Sequence, residues 1–157
     1  MIALLLYEEL LDEAFMQQIN TYERPLSSRL KGLYSDGIIW INKLIPTYIE
    51  KGCVMAEELG HHHTSVGDIL DQRNVVSRRQ ELRARQWGHG RAIPLQRFVD
   101  AHKAGVSGRH DLAAYFGVTE EFLQETVDRY RDKHGLYKEF NENFIVLFDP
   151  VDVVEIP

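Results

Sequence analysis

The sequence predicts an α+β fold that is mostly helical. Three observations indicate this fold. Apolar residues recur at helical spacing along much of the chain, β-forming residues flank a Ser-Asp-Gly turn, and Gly, Pro and Thr stand where helices should begin and end. A chain of 157 residues is long enough to bury a core of its own. We therefore expect a single domain over residues 1–157, with its core at about 33–104.

The N-terminal part is predicted to form a helix followed by a hairpin. Residues Leu6–Tyr22 carry apolar side chains at the spacing of an amphipathic helix. Residues Tyr22–Leu30 contain Pro25 and are expected to form a turn into a short second helix or a loop. The following stretch, G-L-Y-S-D-G-I-I-W-I-N, predicts a β-hairpin with strands at Leu33-Tyr34 and Ile38–Ile41.

A second helix is predicted to begin after Pro46. Thr47 and Glu50 stand at capping-box spacing, and the helix should continue to about His63. Two glycines weaken it by about 1 kcal/mol each relative to Ala, and they are tolerated where another backbone comes close, namely Gly52 and Gly60. A polar connection, Thr64–Asn74, should follow.

The C-terminal half is predicted to be helical until a final hairpin. Its helices are bounded by Pro94 at one start, Gly117 at one end and a Thr119 cap. The expected elements are helices at 75–89, 94–103, 110–116 and 119–134, and a terminal hairpin with strands at 136–140 and 144–148.

Charge gives no global reason to bind nucleic acid, because the net charge is −6. The arginines nevertheless concentrate in one segment with Glu81 as its only acid: Arg73, Arg78, Arg79, Arg83, Arg85, Arg91 and Arg97. An acidic partner could bind this segment, but we favour pairing with acidic helices of the same domain.

The sequence also predicts a cytoplasmic protein without membrane contact. The single cysteine, Cys53, excludes an internal disulfide framework and suits a reducing compartment. The N-terminal apolar run lacks a basic region and a cleavage site, so we expect no signal peptide. No apolar stretch is long enough for a membrane span.

The stretch E-E-L-G-H, residues 57–61, is the first candidate for chemistry. Glu57 and His61 are four residues apart and therefore share one helix face. The layout is that of H-E-x-x-H, in which the outer residues bind zinc and the inner glutamate acts on water, with a carboxylate in the first ligand position. Carboxylates bind zinc too, and they shift metal preference towards Mn²⁺ or Fe²⁺.

Two other interpretations of this stretch stay open. Glu57 and Glu58 could be a solvated helix face, with the histidine run favourable for the helix dipole. Alternatively, His62 and His63 could be ligands, because Glu58 and His62 stand at the same spacing. Cys53 is one turn earlier and is expected to be a small buried residue.

A catalytic zinc site needs a third protein ligand, and Glu81 is the candidate. It is the one acid in the arginine-rich helix. The alternative is a surface ion pair, because Arg78 and Arg85 stand three residues before and four residues after it.

At this point the sequence resembles the ImmA/IrrE family of metallopeptidases found in phages and integrative elements. Three pieces support the resemblance: the hairpin, the segment C-V-M-A-E-E-L-G-H-H-H-T with Glu57 where the family usually has histidine, and E-L-R-A-R-Q-W-G-H-G-R-A-I-P. The last segment is similar to the family's E-x-x-A-N-x-F-A-x-x-L-L-x-P, with Arg85 in place of the usual asparagine. The similarity covers roughly Leu33 to Gly135.

The resemblance implies a zincin-like site helix preceded by a small sheet. It implies Glu57, His61 and Glu81 as ligands of Zn²⁺, or of Mn²⁺ or Fe²⁺, and Glu58 as the general base that activates a metal-bound water. The implied substrate is a helix-turn-helix repressor of a phage or mobile element, which is cleaved. The alternative is a catalytically idle member that binds a repressor or a toxin.

Residues at about 109–135 resemble a helix-turn-helix, with helices on either side of Gly117-Val118-Thr119. In a DNA reader the second helix would enter the major groove by its N-terminus. That end is acidic, with Glu120 and Glu121, and would face phosphates without compensating cations. We therefore expect this helix pair to pack or to dock a partner rather than to bind nucleic acid.

Overall fold

The computed structural model describes residues 5–64 and 75–157, those at 75–77 by their backbone alone. Its α+β fold confirms the predicted fold class. The chain divides into two compact units, Met1–Gly88 and His89–Pro157, which are described separately below. Apart from Thr64 itself, the predicted polar connection lies outside the described residues.

The first unit combines helices with a three-stranded mixed sheet. Strand β1 runs parallel to β3, and β2 pairs antiparallel with β3 on its other side, so that the strand order is β1-β3-β2. The elements are α1 Leu6–Met16, β1 Asn20–Arg24, β2 Gly32–Ser35, β3 Ile38–Asn42, α2 Tyr48–Thr64 and, extending past the unit boundary, α3 Val75–Ala92.

The prediction for the first helix was wrong at its C-terminal end. Helix α1 stops at Met16 instead of Tyr22, and Gln18 has a left-handed backbone with φ 61°. The next residues form β1, which was predicted to lie partly in a helix and partly in a turn or loop. This strand depends on parallel pairing with β3, a non-local contact that periodicity within the segment cannot reveal.

The predicted hairpin is confirmed. Strands β2 and β3 pair antiparallel across Asp36 and Gly37, whose φ angles are 46° and 78°. Two successive residues with positive φ are what a type I′ hairpin turn requires, and Asp-Gly is a preferred pair for it. On β3, Ile39 and Ile41 are fully buried.

Helix α2 begins with half of the predicted capping box. The backbone N–H of Glu50 donates to Oγ1 of Thr47 at 3.1 Å. The Glu50 carboxylate pairs with Nζ of Lys31, also at 3.1 Å. The helix then becomes almost completely buried and packs against α1, where a Cβ at Gly52 would lie 3.0 Å from the Tyr7 nitrogen.

Asn42 fixes the loop between β1 and β2. Its amide donates to the carbonyl oxygens of Leu26, Ser27 and Leu30, and its oxygen accepts from the backbone N–H groups of Leu26 and Leu44. The side chain is only 5% exposed. A buried amide with this many partners holds a loop that has no secondary structure of its own.

The second unit packs helices with an antiparallel three-stranded sheet of order β4-β5-β6. Its elements, after the end of α3, are α4 Leu95–Lys103, α5 Arg109–Phe116, α6 Glu120–His134, β4 Tyr137–Phe140, β5 Phe144–Phe148 and β6 Val151–Glu155. Gly117 ends α5 in the left-handed conformation, and Oγ1 of Thr119 caps α6 by accepting from Phe122. These boundaries confirm the predicted helix pair.

The predicted terminal hairpin was incomplete, because β6 adds a third strand to it. Three of its five residues are valine, a strong β former, so this segment carried a local β signal that the prediction of a two-stranded hairpin left out. Among the helices that the structure describes, none is long and apolar enough to cross a membrane.

Candidate metal centre

Helices α2 and α3 approach each other closely because small residues face each other at their crossing. A Cβ at Gly60 would overlap the backbone carbonyl of Ala84, and one at Gly88 would lie 3.0 Å from the carbonyl oxygen of Ala56. Ala56 and Ala84 are themselves fully buried. The two backbones can therefore lie almost in contact, which sets the distance between side chains that project beside the crossing.

This crossing brings together the three ligands that the resemblance implied. Glu57 and His61 lie one turn apart on α2, and Glu81 comes from α3. One donor atom of each lies within 4.8 Å of the others. Nε2 of His61 is 3.0 Å from Oε2 of Glu81. The sequence placed these residues in one site, and the fold brings them to one point.

Arg85 contacts both carboxylates of this cluster. Its Nε donates to Oε1 of Glu57 at 3.2 Å and lies 3.7 Å from Oε1 of Glu81. The pairing of Glu81 with Arg85 was the surface alternative to a ligand role. The pairing with Arg85 and the position beside His61 are compatible, because Glu81 turns Oε2 towards His61 and Oε1 towards Arg85.

The electrostatics are those of crowded acids in contact with an arginine and an imidazole. Burial raises the pKa of Glu57, and neighbouring Glu81 raises it further. The hydrogen bond with His61 holds the pKa of Glu81 well below its usual range. For His61, burial alone would lower the pKa, but Glu81 and the other two glutamates raise it overall. Two ionised carboxylates whose oxygens lie within 4.8 Å of each other repel by about 3 kcal/mol at an effective dielectric constant of 20.

Glu58 lies beside the three candidate ligands in a nearly closed environment. Its side chain packs against β2, where a Cβ at Gly32 would lie 2.9 Å from Oε1 of Glu58. The residue is 7% exposed, and burial raises its pKa to about 8, although the charge of nearby His61 opposes this shift. A carboxyl with a pKa near neutrality, adjacent to a cation site, has the properties of a general base.

His62 and His63, the alternative ligands, take part in aromatic contacts instead. Nδ1 of His62 shares a hydrogen bond with the Tyr34 hydroxyl at 2.9 Å, and the ring of His63 stacks on Trp87 at 4.5 Å between centroids. Within residues 5–64 and 75–157, neither belongs to a three-ligand group. The open alternative that paired Glu58 with His62 therefore finds no third donor there. Cys53 is buried, as expected.

The residues present suit a divalent transition metal. An imidazole and two carboxylates are ligands that Zn²⁺, Mn²⁺ and Fe²⁺ all accept. Buried Nδ1 of His61 has no hydrogen-bond partner among the described residues, so the ring is oriented by its Nε2 contact with Glu81 and by packing. A bound ion would supply Lewis acidity towards a carbonyl oxygen and a water molecule.

Sequence reasoning missed two features of this centre. Arg85 was noted as a departure from the family pattern and as an ion-pair partner of Glu81 on the same helix, but its contact with Glu57 on α2 was not inferred. Gly32 was quoted as part of the hairpin, but its role in making room for Glu58 was not inferred. An isolated glycine in a strand is a signal of close approach and could have indicated this role.

Comparison with known proteins agrees with this geometry. The sequence matches the family Peptidase_M78, described as the IrrE N-terminal-like domain, over residues 16–128, which is more than half of the chain. No significant match was found among curated proteins or among solved structures. The match confirms the resemblance to ImmA/IrrE proteins that the motifs indicated. The chain belongs to the peptidase family of the IrrE N-terminal-like domain.

Proposed function

We propose that the protein is a metal-dependent peptidase of the phage or mobile-element type that cleaves a helix-turn-helix repressor. The observation that carries this proposal is the convergence of Glu57, His61 and Glu81 from two helices, with buried Glu58 beside them. Membership of a peptidase family supports the reaction class. Zn²⁺ is the ion that we favour, and the additional carboxylate makes Mn²⁺ or Fe²⁺ the next candidates.

In the proposed reaction Glu58 is the residue that moves protons. Its carboxylate accepts a proton from the water that attacks the scissile carbonyl, and its carboxyl later donates that proton to the departing amine nitrogen. Burial keeps other water away from this carboxyl, so the proton stays at Oε1 or Oε2 between the two steps. Glu57, His61 and Glu81 would hold the ion, and its charge would lower the pKa of Glu58 and favour the base form of that carboxyl.

The runner-up is a catalytically idle member that binds a repressor or a toxin. The contact between Glu57 and Arg85 favours it, because the carboxylate in the first ligand position has a cationic partner within the protein. In this alternative the centre would stabilise the fold or form part of the binding surface. Binding would then be independent of metal.

The test combines the purified protein with the helix-turn-helix protein encoded nearest to it. Mass spectrometry of the mixture should detect defined repressor fragments with wild type, and chelator should abolish them. Glu58→Gln should slow cleavage by about 10²–10⁴-fold while it retains metal and repressor binding. Tight binding without cleavage, unaffected by chelator, would support the idle alternative. Cleavage at the wild-type rate by Glu58→Gln would contradict the assigned base.

A further inference from the structure

The two positions at which the metal motif departs from the family pattern are in contact with each other. Glu57 stands in the place of a histidine and Arg85 in the place of an asparagine. Their side chains meet at 3.2 Å between Oε1 and Nε. Each change alone would alter the charge of the centre by one unit, in opposite directions. Together they leave its total charge equal to that of a centre with two histidines and one glutamate.

The two carboxylate oxygens of Glu81 contact different partners. One oxygen, Oε1, faces the arginine at 3.7 Å, and the other, Oε2, faces Nε2 of His61 at 3.0 Å. The guanidinium is half-exposed, while the Glu57 and Glu81 side chains are about one-third exposed. The arginine thus approaches the acids from the solvent side and leaves an oxygen of Glu81 pointing at the imidazole.

We propose that Arg85 is a positioning residue of the metal centre, which holds the carboxylates of Glu57 and Glu81 side by side so that the pair can bind one cation with His61. This inference rests on the proposed metal centre and extends it. Arginine suits the role because its rigid planar group binds carboxylates directionally and never loses its charge in proteins. Partners of this kind orient metal ligands, and their loss weakens metal binding.

The inference predicts an effect of Arg85 that depends on Glu57. Zn²⁺ affinity is measured by competition with a chromophoric chelator for wild type, Arg85→Gln, Glu57→His and the double variant. In wild type, Arg85→Gln should lower the affinity by about 10–100-fold. In the Glu57→His background the same change should alter it by less than about threefold, because the second carboxylate that needs the arginine is gone.

Arg83→Gln is the matched control, since it removes one exposed arginine from the same helix without touching the cluster. It should leave Zn²⁺ affinity within about twofold of wild type. Thermal unfolding of every variant in chelator establishes that the metal-free proteins fold. Should Glu57→His not fold, Glu57→Gln provides the second uncharged background, in which the Arg85 effect should vanish equally.

Each alternative outcome has a distinct meaning. Tighter Zn²⁺ binding by Arg85→Gln would make the arginine a competitor of the ion and overturn the inference. An equal loss of Zn²⁺ affinity in both backgrounds would show that Arg85 has only a general structural role, and this result would also overturn the inference. Wild type that binds no Zn²⁺ at all would contradict the proposed metal centre itself.

Discussion

Tyr7 and Glu23 form a polar contact inside the first unit. The Tyr7 hydroxyl donates to Oε1 of Glu23 at 2.6 Å, and Nζ of Lys51 donates to the same oxygen at 3.3 Å. The Tyr7 hydrogen bond lowers the pKa of Glu23 against the opposing effect of burial, with Lys51 assisting. Tyr7 itself is buried, so the contact joins α1, β1 and α2 at one point.

The pH dependence of this contact follows from the lowered pKa. A carboxyl whose folded pKa lies below its unfolded value of 4.5 stabilises the fold above pH 4.5, and this stability is lost as pH falls through the folded pKa. Tyr7→Phe should therefore lower the free energy of unfolding by about 1 kcal/mol at pH 7 and by less below pH 4. Urea unfolding of wild type and Tyr7→Phe at pH 7 and at about pH 3 measures this difference in the free energy of unfolding.

Tyr22→Phe is the control for this prediction. Tyr22 lies on β1 close to Glu23, and its ring is 5.4 Å from the Arg24 guanidinium, a contact that phenylalanine also provides. Its unfolding free energy should match wild type at both pH values. A Tyr7→Phe loss that stays constant from pH 7 to pH 3 would show that packing, not the Glu23 contact, is responsible.

The grouping of Glu57, His61 and Glu81 was predictable because it follows a local pattern. The four-residue spacing of Glu57 and His61 on a helix is fixed by geometry, and Glu81 was the single acid in its segment. Of the contacts that Arg85 makes with this group, only the one with Glu81 was predictable in this way. That Arg85 bridges two carboxylates depends on the crossing of two helices, and no spacing within one helix encodes it.

At the scale of elements, the α2–α3 crossing determines whether the candidate metal ligands meet. Gly60→Ala places a methyl group against the Ala84 carbonyl, so α3 must move away. We expect this variant to lose its metal and, because a well-packed core tolerates insertion poorly, about 1–3 kcal/mol of stability. Metal analysis and thermal unfolding measure the two effects.

Gly90→Ala is the matched variant on α3, since a Cβ there meets nothing within 4 Å. It should keep the metal and gain about 0.5–1 kcal/mol from helix propensity. If Gly60→Ala protein binds metal as wild type does, the positions of the ligands do not depend on the close approach of α2 and α3, and this explanation is wrong.

The elements differed in how well local sequence specified them. Helices with clear caps, such as the one begun by Thr119, were placed within a residue or two. Strand β1 was missed because it gains its hydrogen bonds from β3, a non-local partner that the local pattern does not identify. Strand β6 was also missed, although its valines are a local β signal and its partner β5 is its neighbour in sequence.

At the scale of the whole molecule, the candidate centre lies entirely within the unit Met1–Gly88. The second unit contributes the helix pair of α5 and α6, whose acidic N-terminal turn carries Glu120 paired with Arg109 at 3.3 Å. The sequence therefore predicted which three candidate ligands of the first unit lie close together. For the second unit, packing or docking of a partner by the α5–α6 helix pair stays a prediction.

The central claim is that Glu57, His61 and Glu81 hold one metal ion. Metal content of purified protein by plasma mass spectrometry tests it most directly, with Glu121→Ala as a control for an exposed acid of α6. Wild type and Glu121→Ala should contain about one ion per chain, and Glu57→Ala and Glu81→Ala far less. Wild-type metal content in both Glu57→Ala and Glu81→Ala, or none in wild type prepared with added Zn²⁺, would contradict the account.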